Sequence, residues 1–174
     1  MFDDFKELLS VFNKHKVKYL VIGAYAVGYH AQPRATKDLD LLIQPAPKNS
    51  DAVYRALVEF GAPNIGSLSA EDFAEKGTFY RMGVPPVAVD IMPAIKGVVF
   101  NAAWKNRVAV TVDTATGLTA NFISRNDLIA AKLAAGRPHD MGDVDALRKA
   151  AAEVSRPATP KTRAKPKKMR NPKP

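Results

Sequence analysis

Asp38, Asp40 and Asp90 are the residues of this chain best suited to chemistry. Asp38 and Asp40 alternate with apolar residues in Lys37-Asp38-Leu39-Asp40-Leu41-Leu42-Ile43. In an extended strand, residues two apart share a face, so both carboxylates project to one side and Leu39 and Leu41 to the other. Neighbouring carboxylates repel, and folding tolerates them best with positive charge between them. A hard divalent cation such as Mg2+ or Mn2+ suits oxygen ligands. The plainer reading is two acids on a solvated strand face. It sits badly with Leu39, Leu41, Leu42 and Ile43, which describe an interior strand.

Asp90 repeats the anomaly in Val87-Ala88-Val89-Asp90-Ile91-Met92, a single carboxylate among apolar residues. Alone, it is either a structural anchor or a functional group. Placed beside Asp38 and Asp40 in one sheet, it completes a three-acid set. Such a set can hold two metal ions against the attacking and leaving oxygens of a phosphoryl transfer.

Phosphates also need donors. Gly23, followed by Ala24, ends the apolar run Val17 to Ile22 and opens a helix. A glycine there lets a phosphate approach the backbone and the free N–H groups of the helix end. Arg34, Thr36 and Lys37 precede the acidic pair and add side-chain donors. Lys132 shares a helical face with Leu128 and Ile129, and a lysine on a core-facing stripe requires an anionic partner. That partner is either a bound phosphate or a buried acid. Asp140, on one face with Val144 and Leu147, is placed to bridge Lys132 or Arg137, a structural role. His15, His30 and His139 stand at no metal-ligand spacing, and no serine has a nucleophile-elbow context. Trp104 and Tyr25 read as core.

The elements that must position these groups alternate between helix and strand. Phe2, Phe5, Leu8, Leu9 and Phe12 predict a helix over 2–15, with Asp3 and Asp4 in its first turn. Strands are predicted over 17–22 and 37–43, with a short helix over 24–31 between them. Asn49 or Ser50 should cap a helix ending at Gly61, and Ser69 to Asp72 resembles a capping box for a short helix. Thr78 to Met82 and Val87 to Met92 read as strands joined through Gly83-Val84-Pro85-Pro86. Further strands are predicted over 107–112 and around 118–122. A helix then runs from Ser124 to Gly136, and another over about 140–153. The mixture implies an α/β or α+β fold.

The acidic pair and its surroundings carry a family resemblance. Gly23-Ala24, thirteen intervening residues and Asp38-Leu39-Asp40-Leu41 resemble the polymerase-beta-type nucleotidyltransferase signature, with Ala24 where the wider superfamily has Ser or Gly. Arg34-Ala35-Thr36-Lys37-Asp38-Leu39-Asp40 is similar to the minimal bacterial nucleotidyltransferases that include AbiEii-type toxins. Asp127 to Lys132, Gly136-Arg137 and Asp140 to Asp143 resemble later motifs of that group. The resemblance implies a mixed sheet flanked by helices, with a C-terminal helical segment. It implies transfer of a nucleoside monophosphate from a nucleoside triphosphate to an acceptor hydroxyl, with Asp38, Asp40 and Asp90 on two metals. Gly23, Ala24, Arg34, Thr36, Lys37 and Lys132 are then the nucleotide-binding set, with Lys132 neutralising triphosphate. It further implies an RNA acceptor such as tRNA and an antitoxin as a partner, while the sequence leaves a protein hydroxyl or a small molecule open as acceptor.

Charge divides the chain in two. Of a net charge of +9, eight charges lie in residues 155–174, which hold eight basic residues, five prolines and no acid. This segment cannot bury enough surface to offset its ordering entropy, so it is expected to be a disordered tail behind a folded domain over 1–154. It serves either as a solubilising extension or as an electrostatic tether to nucleic acid, and in the second case it favours an RNA acceptor. The chain has no cysteine. That excludes a thiolate metal site and a cysteine nucleophile, and accords with a reducing cytoplasm. The acidic opening Met1-Phe2-Asp3-Asp4 differs from a signal peptide, and no apolar stretch is long enough for a membrane span. The competing function is a non-catalytic nucleic-acid-binding module that retains a decayed nucleotidyltransferase site.

Overall fold

The structure is a computed structural model that describes residues 1–154 other than Arg34, Lys76, Pro85 and Pro86. Six helices and six strands follow in the order α1 (Asp3–Lys14), β1 (Tyr19–Val21), α2 (Gly23–His30), β2 (Asp38–Ile43), α3 (Pro47–Phe60), β3 (Tyr80–Val84), β4 (Val87–Met92), α4 (Phe100–Lys105), β5 (Val108–Asp113), β6 (Leu118–Phe122), α5 (Arg125–Ala135) and α6 (Pro138–Val154). The strands form one mixed sheet in the order β3-β4-β2-β1-β6-β5. β2 lies inside it, antiparallel to β1 and parallel to β4.

This placement explains the apolar flanks of the acidic strand. Leu39, Leu41 and Ile43 are fully buried, as are Tyr19, Leu20 and Val21 on β1. The apolar face of α1 contributes Phe5, Leu8, Leu9 and Phe12 to the same core, and α1 packs against α3. α2 crosses from β1 to β2 and touches β2, α5 and α6. The C-terminal helices therefore pack on α2, which itself lies against the acidic strand. α5 begins where Ser124 Oγ accepts the Asp127 N–H at 3.1 Å, the N-terminal cap its sequence encodes.

Some boundaries differ from the sequence reading. α3 starts at Pro47, two residues ahead of the expected caps, because proline is preorganised for the first helical position. Asn49 and Ser50 thus lie buried inside the helix. Asn49 is used elsewhere: its Oδ1 accepts the Lys18 N–H at 2.7 Å, and its Nδ2 donates to Lys18 O at 3.1 Å and Gln44 O at 3.0 Å. The short helix α4 was not expected, since six residues carry too little periodicity to be seen. Glu71–Phe73 is a short helix as expected, of 3-10 form, with Asp72 Oδ2 accepting the Ser69 N–H at 2.7 Å. No helix among the described residues is long and apolar enough to cross a membrane.

Asn49 ties α3 to the paired ends of β1 and β2. Asn49→Ala should cost roughly 2–4 kcal/mol, about 1 kcal/mol for each of the hydrogen bonds lost. Urea unfolding of the variant should show that loss with an unchanged denaturant slope.

Candidate active site

Strand register brings the acids together. β2 and β4 pair in parallel with Asp38 opposite Ala88 and Asp40 opposite Asp90. Asp40 and Asp90 are thus direct cross-strand neighbours, and Asp38 lies two residues along on the same face. All three line a cavity of about 620 Å³. Crowding and burial show in their acidity. Burial first, then Asp90 and Asp38, push the Asp40 carboxyl up to about 6, against the opposing pull of Arg137 and Lys132. Burial also raises Asp90, opposed by Arg81 and reinforced by Asp38.

Gly23 makes this packing possible. It opens α2 at φ +61°, and a β-carbon there would lie 1.9 Å from Asp40 Oδ2. No other residue could bring the end of α2 so close to the carboxylate. Ile22 is extended and offers α2 no side-chain cap, and Gly23 and Ala24 line the cavity. Gly97 does a similar service on the far wall. At φ +75°, it lets the segment after β4 press on α5, where a β-carbon would lie 2.8 Å from Ala130 O. Lys96, beside it, lines the cavity.

The wall facing the acids comes from α5 and α6. Lys132 is buried there, and its Nζ donates to Asp140 Oδ1 at 2.9 Å and Asp143 Oδ2 at 2.7 Å. Asp140 is fully buried and also accepts from Arg137 Nε at 2.8 Å. Burial alone would raise Asp140, but the hydrogen bonds and charges of Arg137 and Lys132 hold it below its ordinary range. Of the two partners the sequence left open for Lys132, the structure supplies the buried acid, and supplies two. Among the described residues, Lys132 thus has its anionic partners without a ligand. Arg137 and His139 have side chains 62% and 59% exposed and stand at the rim.

The other sequence-derived residues divide. Thr36 lines the cavity, but its Oγ1 is engaged with the backbone of Asp38, accepting its N–H at 3.3 Å and donating to its carbonyl at 3.2 Å. Lys37 is exposed and does not line the cavity, because strand alternation turns it away from Asp38. Arg34 and the tail over 155–174 lie outside the described residues. Tyr25 and Trp104 pack against the core, with Trp104 stacked on Phe100 and covered by Arg107 at 4.0 Å. His30 is buried and bonded through Nε2 to the Ile123 carbonyl at 2.7 Å.

Sequence reasoning missed Lys96, His139 and Arg81. Arg81 sits opposite Asp90 in the β3–β4 register, with Nε 3.6 Å from Asp90 Oδ1 and Nη2 4.0 Å from Asp38 Oδ1. Counting the hairpin back from Val84 and Val87, which face each other, would have found it. Among the described residues, no three acidic or histidine side chains are arranged as a metal site. The three aspartates are a register of carboxylates with an arginine leaning between two of them.

A mixed sheet with aspartates on neighbouring interior strands, beneath a glycine-opened helix, defines a nucleotidyltransferase-like fold. The family model described as "Nucleotidyltransferase of unknown function (DUF6036)" matches residues 1–151, and the chain belongs to that family. Its fold is similar to that of a candidate nucleotidyltransferase from Thermotoga maritima, with a TM-score of 0.52 and 17% identity over 86% of this chain and 91% of that one. An antigenic nucleotidyltransferase-like protein from Paracoccidioides brasiliensis aligns with a TM-score of 0.49 and 15% identity, over 89% of this chain and 76% of that one. Comparison with curated proteins gives no match.

The Lys132 network makes a direct prediction. Lys132→Met keeps the apolar stem but leaves Asp140 and Asp143 without their shared cation, so the ligand-free protein should lose roughly 3–5 kcal/mol. Asp140 is held below its ordinary range, so the network's stabilisation is complete above that range and is lost as pH falls beneath it, through the lowered folded-state midpoint. The wild-type and variant melting curves should therefore converge in acid.

Proposed function

We propose that this protein transfers a nucleoside monophosphate from a nucleoside triphosphate to an acceptor hydroxyl, with release of pyrophosphate. The carrying observation is the register that sets Asp40 beside Asp90, with Asp38 on the same face, along one wall of a cavity that Lys96, Lys132 and Arg137 also line. Family membership supports the reaction class.

Asp38, Asp40 and Asp90 fit a divalent cation, Mg2+ or Mn2+. All their donors are hard oxygens, and Oδ1 of Asp90 is buried without a hydrogen-bond partner. When bound, the cation would neutralise phosphate charge and acidify the attacking hydroxyl. Everything else falls to the chain. Asp90, made more basic by burial, takes the acceptor proton as the hydroxyl oxygen bonds to the α-phosphorus. The bond from that phosphorus to the bridging oxygen breaks, and pyrophosphate leaves with the electron pair. Gly23 and Ala24 present the backbone of α2 to the phosphates. Arg137 at the rim and Lys96 in the cavity lining supply positive charge for the phosphates, and the sequence resemblance adds Arg34, which lies outside the described residues. Lys132 keeps the basic wall in place through its two aspartates and adds positive charge behind it. The catalysis is positioning and charge neutralisation, as phosphoryl chemistry requires.

RNA is the favoured acceptor, because the basic residues of 155–174 can bind a polyanion by counterion release. A place in a toxin–antitoxin pair is the role that the sequence resemblance supports. The test is incubation of the full chain with each α-labelled nucleoside triphosphate, Mg2+ and total cellular RNA or protein. Label should enter the RNA fraction with wild type and fall by about 10³-fold with Asp40→Asn, the scale of losing an electrostatic anchor of the transition state. Equal labelling by Asp40→Asn, or none in any fraction with wild type, would refute the reading.

A further inference from the structure

Arg81 does not behave like an ordinary ion-pair partner. Arginine and carboxylate normally meet in a fork of short hydrogen bonds, about 2.7–2.9 Å long. Here the guanidinium spans two acids and bonds neither, at 3.6 Å from Asp90 and 4.0 Å from Asp38, and its side chain is 45% exposed. Asp90 Oδ1, the atom it approaches, is buried and makes no hydrogen bond. The Arg81 backbone is fixed opposite Asp90 by the β3–β4 ladder, so only the side chain is free to leave. Among the described residues, Arg81 thus pairs with Asp38 and Asp90 only at long range, whereas Lys132 is buried between two acids at hydrogen-bond distance.

We propose that Arg81 is an exchangeable counter-cation. It neutralises Asp38 and Asp90 while the cavity is empty, and gives them up when a divalent ion arrives. This rests on the proposed metal role of the acids and adds a positioning residue that sets how strongly they bind the ion. The physical ground is competition. A monovalent guanidinium and a divalent cation call on the same carboxylate oxygens, and their mutual repulsion at such short range drives the arginine out. The half-exposed position gives it an aqueous route along which to swing, and a loose pair costs little to break. Once displaced, Arg81 remains tethered at the cavity edge, where the incoming triphosphate attracts it.

The experiment measures Mn2+ binding to the full chain by calorimetry, without nucleotide, and records melting curves with and without saturating Mn2+. Arg81→Gln should bind Mn2+ about two- to fivefold more tightly than wild type, the size of a half-exposed ion pair. Arg81→Lys, which keeps the charge, should fall between them. Without metal, Arg81→Gln should melt below wild type, and saturating Mn2+ should erase that difference, because the pair it lacks is then broken in both proteins. If Arg81→Gln and wild type bind Mn2+ equally, or if the melting deficit persists at saturation, Arg81 is a fixed structural partner and the inference is wrong. Asp40→Asn separates this from failure of the underlying reading. Wild type that binds no Mn2+, or Asp40→Asn that binds it as wild type does, overturns the metal role of the aspartates and the exchange together.

Discussion

The Asp40 carboxyl rests against the backbone of Gly23, in a space that the β-carbon of any other residue would fill. Around this contact the chain assembles two features that folding alone does not favour. An acid is half-buried on an interior strand, and a helix begins with its uncapped end beside that acid. β1 and β2 must pair for the contact to exist, since the Ile22 N–H donates to the Asp40 carbonyl at 3.0 Å just before α2 begins. β4 must then lie parallel to β2, which sets Asp90 beside Asp40 and compounds the repulsion. This crowding of like charge, met by Arg81 only at 3.6 and 4.0 Å, is what the proposed function puts to use.

The opposite wall solves a different problem. Lys132, Asp140, Asp143 and Arg137 also bring charge into a buried place, but in balanced and hydrogen-bonded form, and the network holds α5 to α6. The cavity therefore has a strained acidic side and a satisfied basic side. Chemistry is expected where charge is strained, and rigidity where it is satisfied. This asymmetry moves Lys132 toward the scaffold and leaves Lys96, with the exposed side of Arg137, as cations for phosphate.

The sequence carried most of this in its local patterns. Strand alternation alone put Asp38 and Asp40 on one face, and the apolar run around Asp90 marked its strand as interior. Gly23 was legible as a junction, although its closeness to Asp40 depends on pairing between distant strands. What stayed hidden was likewise long-range. Two partners were compatible with the Lys132 stripe, and the choice turned on how α6 folds back onto α5. Nothing in the local sequence sets Arg81 apart, and only the β3–β4 register places it opposite Asp90. Lys37 shows the converse error, since nearness in sequence to the acids suggested a shared site, yet alternation turns it outward. Asn49 was misread because a good capping residue can equally serve a bond to a neighbouring strand.

If crowding and burial of Asp40 are the heart of the site, its own titration reports them most directly. Carboxyl-carbon NMR of the metal-free protein should give Asp40 a midpoint near 6, raised by burial and by Asp90 and Asp38. A raised midpoint means that protonation favours the folded state, by on the order of 3 kcal/mol. That stabilisation is complete below the ordinary carboxylate range and disappears as pH rises through about 6. Saturating Mg2+ should pull the midpoint well down, because the cation favours the ionised form. An Asp40 midpoint near the ordinary value of about 4, indifferent to Mg2+, would contradict the account.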